Sequence, residues 1–227
     1  MKKFSLILVI MALVFSACDS NKVKIRGKVA GLDGTVKLMA EMPGQEGMTV
    51  LAQQDVKDGS IDLQTETLQI PARVWVDVDG KQTLEFIVDS KDQIWIEGKI
   101  KFPDQIEVKG SGIGEKYDEL KKLFKEKYDG PIEPINKKIE RILSKPQRNT
   151  DDAVRISVYE MQKQRYLKAR LNYAKTLIEA NPQMELSLFL LQDELKDSVD
   201  MQKRIFKTLK IENKESNIYK NLAEKLK

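Results

Sequence analysis

Apolar and polar side chains alternate along the first half of the chain. Between Val23 and Val29, apolar residues or glycine occupy every second position, and lysine or arginine lies between them. A period of two is typical of a strand with one buried face. The same alternation recurs at Val36–Leu38, Ile61–Leu63, Val74–Val78, Leu84–Val88, Ile94–Ile96 and Ile106–Val108.

Asp-Gly pairs separate several of these stretches, at Asp33–Gly34, Asp58–Gly59 and Asp79–Gly80. Such pairs suit tight hairpin turns, because glycine adopts positive φ at little cost. Short strands separated by regular turn signals predict an antiparallel β-sandwich or open barrel. We assign this predicted β-sandwich or open barrel to residues 23–110.

The period changes at Gly110–Gly114, where glycine occupies three of five positions. A glycine-rich stretch before a helix can bind phosphate. This one lacks the Lys and Ser/Thr of a P-loop, and no βαβ unit surrounds it. We therefore interpret it as a joint between two regions.

Residues 111–227 follow a helical period and predict an α-helical bundle, so the expected fold class is α+β. Asp129–Pro131 is expected to break the first helix, and Lys145–Pro146 to end the second. A long helix is expected from Asp151 to Glu179. It carries the apolar and aromatic residues Val154, Val158, Met161, Tyr166, Tyr173 and Leu177. Shorter helices are expected at Glu185–Leu195, Val199–Leu209 and Ser216–Leu226.

The first seventeen residues have the pattern of an export signal. Lys2 and Lys3 precede the apolar run Phe4–Phe15, which is too short for a membrane-spanning helix. Small residues at Ser16 and Ala17 precede Cys18. This resembles the lipobox of bacterial lipoproteins, with cleavage between Ala17 and Cys18 and lipid on the Cys18 sulfur.

The lipobox match has one departure, because Phe15 stands where leucine is usual. The alternative is an ordinary signal peptide with a chance cysteine, which would leave an unpaired thiol in an exported protein. We expect residues 1–17 to be the signal peptide and residues 18–22 a lipidated tether. No acidic run follows Cys18 to resemble a surface-export tag, which favours the periplasmic face of a membrane.

Composition excludes several kinds of chemistry. The chain has no histidine, and its single cysteine is Cys18. Ser–His–Asp catalysis, Cys–His catalysis, dithiol redox chemistry and Cys-based zinc sites are therefore not expected. The formal charge is +4, and loss of Lys2 and Lys3 with the leader leaves an excess of two basic residues. Such a balance gives no reason to expect nucleic acid binding. We expect no cofactor and no metal.

Trp75 is the best candidate for a contact residue on the sheet. It shares a strand face with Arg73 and Asp77, opposite the valines of the Val74–Val78 stretch. Single exposed aromatic residues are nevertheless common on protein surfaces. The tyrosines of the second half suit helix packing better than ligand binding.

The β region and the helices resemble one family. The stretch Lys24-Ile-Arg-Gly-Lys-Val-Ala-Gly-Leu-Asp-Gly-Thr-Val-Lys-Leu is similar to a domain of unknown function in Bacteroidetes lipoproteins, where it precedes thioredoxin-like (AhpC/TSA-type) thiol-disulfide oxidoreductases. Further similar segments begin at Val56, Phe86, Val108, Ile178 and Ser216. The family usually continues into a thioredoxin fold with a Trp-Cys-x-x-Cys site. This chain ends at Lys227, so we expect that domain to be missing and carry over no catalytic residue.

The leading hypothesis is a non-enzymatic cell-envelope lipoprotein that acts as a binding or scaffolding module for an envelope protein or ligand. One alternative is an accessory subunit for a separate thioredoxin-like thiol-disulfide oxidoreductase. Another is a carboxylate-dependent hydrolase or isomerase that uses residues such as Asp77 and Glu85.

Overall fold

The computed structural model describes residues 22–78, 80, 82–91, 94–102 and 105–227. The expectations for the leader, for Ala17 and for Cys18 lie outside these residues. The chain divides into two compact units. The first is Met1–Gly112 with Glu215–Asn217, and the second is Ile113–Lys214 with Ile218–Lys227. The boundary predicted from the sequence, at residue 110, lies two residues before the boundary in the structure. The prediction also placed Glu215–Asn217 in the helical region, whereas these residues belong to the first unit.

The first unit contains two four-stranded sheets, in the orders β4-β1-β7-β8 and β3-β2-β5-β6. Within the described residues, neither sheet closes into a barrel. The strands are β1 (Val23–Ala30), β2 (Gly34–Glu41), β3 (Met48–Val56), β4 (Ser60–Thr65), β5 (Ala72–Val78), β6 (Gln82–Val88), β7 (Ile94–Lys99) and β8 (Glu107–Lys109).

The apolar positions of the alternating stretches form one core that both sheets share. Val23, Ile25 and Val29 of β1 are fully buried, and so are Val74 and Val76 of β5. A Cβ at Gly27 of β1 would lie 1.9 Å from the carbonyl oxygen of Ile96, so β7 can approach β1 only if this residue is glycine.

Strand pairing corrects the expectation of an antiparallel architecture. β1 and β7 pair in parallel, with Arg26 beside Trp95, whereas the other described pairs are antiparallel. A parallel pair requires a long crossover connection. Here β2 to β6 lie between the two strands along the chain, and most of that segment builds the second sheet.

Two of the three predicted hairpin turns instead connect the sheets. Asp33–Gly34 lies between β1 and β2, and Asp58–Gly59 between β3 and β4, and each of these strand pairs is divided between the sheets. Strand β3 was not predicted at all. Only Val56 of its nine residues is buried, so the sequence lacks a clear apolar alternation there.

The remaining described elements are helical, which confirms the α+β class. None of the described helices has the length and apolar content to cross a membrane. The helices are α1 (Gly112–Phe124), α2 (Gly130–Leu143), α3 (Thr150–Ala180), α4 (Leu186–Glu194), α5 (Val199–Phe206) and α6 (Asn217–Lys225).

The expected helix break at Asp129–Pro131 is wrong. A π-helical segment, Lys125–Asp129, joins α1 directly to α2. The N–H of Gly130 donates to the carbonyl of Lys125, five residues earlier, as π-helical geometry requires. Pro131 lies in the first turn of α2, where the absence of an N–H is tolerated.

Candidate contact surfaces

The two tryptophans differ in exposure. Trp75 is half-buried in β5, between Met39 of β2 and Glu85 of β6, so the expectation of an exposed side chain is met only in part. Trp95 in β7 is 44% exposed. The face assignment for β5 is confirmed, because Val74, Val76 and Val78 are buried while Trp75 and its same-face neighbours are half-buried.

The two carboxylates considered for catalysis have separate structural partners. Asp77 accepts a hydrogen bond from the backbone N–H of Gly80 at 3.0 Å, in the turn between β5 and β6. Glu85 accepts a hydrogen bond from the Arg73 guanidinium at 2.9 Å. Asp77 lies opposite Thr83, and Glu85 lies opposite Trp75, so the two carboxylates are diagonal neighbours across the strand pair. In the part of the chain that the structure describes, no group of three or more acidic or cysteine side chains is arranged to hold a metal ion.

Helix α3 begins at a complete capping box. The Asn149 side chain accepts from the backbone N–H of Asp152 at 2.9 Å, and the Asp152 carboxylate accepts from the N–H of Asn149 at 3.4 Å. The same carboxylate accepts from Lys145 at 2.6 Å. These bonds satisfy backbone donors that a helix start otherwise leaves unpaired. They fix the first turn of a 31-residue helix.

One side of α3 packs on α2. The isoleucines of α2 that recur at helical spacing are buried: Ile132, Ile135, Ile139 and Ile142. Along the corresponding side of α3, Asp152 is buried and Ile156, Tyr159 and Lys163 are half-buried. The two helices therefore form an antiparallel hairpin with one shared apolar seam.

The opposite side of α3 carries Val154, Val158 and Met161, a set that we call the outer stripe. Their side chains are 57%, 43% and 53% exposed. The spacing i, i+4, i+7 places all three on one side of the helix. These three residues of the predicted helix are therefore not part of the bundle core. An apolar stripe at helical spacing that remains exposed is a candidate protein contact surface.

Charged residues flank the outer stripe on the same side of α3, acidic before it and basic after it. Exposed Asp151 precedes it, and exposed Arg165 and Lys168 continue the same side of the helix after it. Within the described residues, neither Arg165 nor Lys168 has a carboxylate within 4.0 Å. From Asp151 to Lys168 the surface spans about 25 Å at the helical rise. It is acidic at one end, apolar in the middle and basic at the other end.

The other half of α3 is held firmly in the second unit. Arg170 donates to Glu194 at the end of α4 and to Asp129 in the π-helical segment. Its guanidinium carbon lies 5.2 Å from the ring centre of Phe124. Phe124 in turn meets Tyr173 edge to face, at 6.0 Å between ring centres. A helix that is fixed at both ends can present the outer stripe in a constant orientation.

The sequence contains a signal for the outer stripe that we did not use. Val154, Val158 and Met161 share one side of the predicted helix, whereas the apolar residues Ile156 and Tyr159 share another. Two separate apolar sides on one long helix indicate that the helix contacts more than one partner surface. Which side packs on α2 cannot be obtained from spacing, because both sides are similarly apolar.

Comparison of the chain with family models, with curated proteins and with solved structures found no match.

Proposed function

We propose that the chain is a non-enzymatic cell-envelope lipoprotein that acts as a binding or scaffolding module and docks a partner protein on the outer stripe of α3. In this proposal, lipid on Cys18 holds it to a membrane, facing the periplasm. Residues 23–110 form a β-sandwich, and residues 111–227 form a helical bundle that carries the outer stripe. The family resemblance to Bacteroidetes lipoproteins is part of the same proposal.

The exposure of Val154, Val158 and Met161 is the observation that carries the proposal. Complete burial of such a side chain stabilises by about 1.5–3 kcal/mol, and roughly half of each is exposed. Covering the outer stripe would therefore contribute about 3 kcal/mol, somewhat less than a millimolar dissociation constant requires. The outer stripe must then be the centre of a larger interface, or act between partners confined to one membrane surface.

The charges beside the outer stripe define the partner. Arg165 and Lys168 favour carboxylates, and Asp151 at the other end favours a cation. A complementary partner is an amphipathic helix with an apolar stripe, acidic residues at one end and a basic residue at the other. Such helix pairs use the i, i+4, i+7 positions as their anchors.

A non-enzymatic role is supported by the absence of histidine from the chain and by the position of its only cysteine at the proposed lipidation site. Asp77 and Glu85, the carboxylates of the hydrolase hypothesis, stabilise a turn and an ion pair. The alternative role, an accessory subunit for a thioredoxin-like enzyme, uses the same outer stripe. It differs only in the identity of the partner, which would bring its own Cys-x-x-Cys site.

Photo-crosslinking in living cells tests the proposal. A photo-reactive amino acid replaces Val158 in the full-length protein, and the matched control places it at Gln164, an exposed residue about 120° around the same helix from Val158. We expect Val158 to yield one dominant crosslinked envelope protein and Gln164 to yield much less of it. Equal crosslinking at both positions, or none at Val158, would show that the outer stripe is not the contact surface.

A further inference from the structure

Among the described strands of the first sheet, the outward face carries one aromatic side chain, Trp95, at its centre. Trp95 belongs to β7, an inner strand of the order β4-β1-β7-β8. Arg26 of β1 lies beside it in register on one side, and Lys109 of β8 lies beside it on the other. Glu97 is its neighbour along β7. Neighbouring strands are about 4.8 Å apart and same-face residues about 6.6 Å apart along a strand, so these polar groups surround the indole closely.

The two basic residues that flank Trp95 in register are each paired with a carboxylate. Arg26 lies 3.5 Å from the Asp62 carboxylate. Lys109 lies 3.0 Å from Glu107 and 3.6 Å from Glu97. These pairs are exposed, so they are weak and their donors and acceptors remain available to a ligand. Because the two cations that flank the indole are each paired, the local field at Trp95 is weak, which disfavours a highly charged ligand.

Large aliphatic side chains do not contribute to this face within the described strands. Its members on β1, β4, β7 and β8 besides Trp95 are Lys24, Arg26, Lys28, Ala30, Ser60, Asp62, Gln64, Glu97, Lys99, Glu107 and Lys109. Protein interfaces normally centre on several packed apolar anchors. One flat π surface within a field of hydrogen-bonding groups suits a ligand that is itself apolar on one flat face and polar around its rim.

We propose that the face around Trp95 binds a neutral sugar, as a hexose or N-acetylhexosamine unit of a glycan. The C–H face of a pyranose ring would stack on the indole, whose π face carries partial negative charge. The hydroxyl groups at the ring edge would form hydrogen bonds with the Glu97 carboxylate and with the cationic groups of Arg26 and Lys109. This site lies in the first unit, whereas the outer stripe lies in the second, so it goes beyond the proposed docking function.

The test begins with the full-length protein in a detergent without a sugar headgroup, applied to an array of neutral, N-acetylated and acidic glycans. We expect binding to neutral or N-acetylated glycans. Trp95→Ala should weaken that binding at least about tenfold, whereas Trp75→Phe should leave it unchanged. Trp95→Phe should retain most of the binding, and Trp95→Leu should lose it, because stacking requires a ring rather than apolar area alone.

Fluorescence provides an independent measurement, because the chain has only two tryptophans. In the Trp75→Phe variant, Trp95 is the sole tryptophan, and the glycan selected on the array should shift its emission to shorter wavelength and protect it from acrylamide. Circular dichroism confirms that each variant is folded. The proposal is overturned if no glycan binds, if only acidic glycans bind, or if Trp95→Ala binds as well as the wild type. A photo-reactive residue at position 95 that captures a protein instead would assign this face to a protein partner.

Discussion

Arg170 in α3 forms two parallel hydrogen bonds with Glu194 at the end of α4, from Nε to Oε2 at 2.7 Å and from Nη2 to Oε1 at 2.8 Å. Its Nη1 donates to both oxygens of Asp129, at 2.6 and 2.7 Å. The bond to Glu194, and then that to Asp129, raises the pKa of the Arg170 guanidinium above its ordinary value. One side chain thus joins α3, α4 and the π-helical segment through charge-assisted bonds.

Replacing Arg170 should destabilise the helical region. In Arg170→Met the Glu194 carboxylate, whose side chain is only 8% exposed, would lose its charged partner. Removing one partner of a fully buried pair costs about 3–5 kcal/mol, and the partial exposure of Arg170 reduces this to about 2–3 kcal/mol in the free energy of unfolding. Urea unfolding followed by circular dichroism measures the change. The matched control, Arg141→Met at an exposed position in α2, should change stability by less than about 0.5 kcal/mol. Similar losses in both variants would refute the role of the Arg170 bonds.

The capping box of α3 predicts a dependence on pH. The hydrogen bond from Lys145, with a smaller contribution from the N–H of Asn149, holds the pKa of Asp152 below its ordinary value. The resulting stabilisation is fully present above about pH 4, the pKa of an unfolded aspartate, and is lost as pH falls through the lower folded pKa. Asp152→Asn should therefore lower the melting temperature at neutral pH, and the difference from wild type should shrink below about pH 4.

Melting curves of wild type and Asp152→Asn between about pH 7 and about pH 2 measure this dependence. The neighbouring exposed residue provides the control, because Asp151→Asn removes a charge from the same turn without removing a cap bond. A difference between wild type and Asp152→Asn that stays constant over the whole range would show that the Asp152 charge does not stabilise the helix start.

The local pattern of the sequence was enough to locate most strands and helices. Period-two alternation identified β1, and its buried positions are those that the alternation selects, such as Val23 and Ile25. The long helix, predicted from Asp151 to Glu179, extends from Thr150 to Ala180. These features depend on neighbouring residues, so they are visible in the sequence itself.

Features that depend on distant residues could not be predicted. The parallel pairing of β1 with β7 joins segments separated by about seventy residues, and neither strand's alternation specifies its partner. The helix break expected at Asp129–Pro131 does not occur, because the π-helical segment Lys125–Asp129 continues the helix up to the proline. Exposure of Val158 depends on which side of α3 packs on α2, and tertiary contacts determine that side.

Lipidation of Cys18 is tested by mass spectrometry of the mature N-terminus. We expect a chain that begins at Cys18 and carries acyl chains on that residue, because a diacylglycerol thioether supplies the two hydrophobic chains that stable anchoring needs. Cys18→Ser should remain uncleaved or appear as a soluble exported form. A mature chain that begins elsewhere without a lipid would refute the anchor.

The central claim, that the outer stripe binds a partner protein, is tested most directly by co-purification from native envelopes. The test variant is Val158→Lys with Met161→Lys, and the matched control adds the same two charges at Ala153 and Gln164, exposed positions of α3 about a quarter turn around the helix from the outer stripe. We expect a partner to co-purify with the wild type and the control, and to be lost from the test variant. Because all four positions are exposed, the three proteins should melt within about 4 °C of one another. Equal recovery of every co-purifying protein with the test variant and the control would contradict the account.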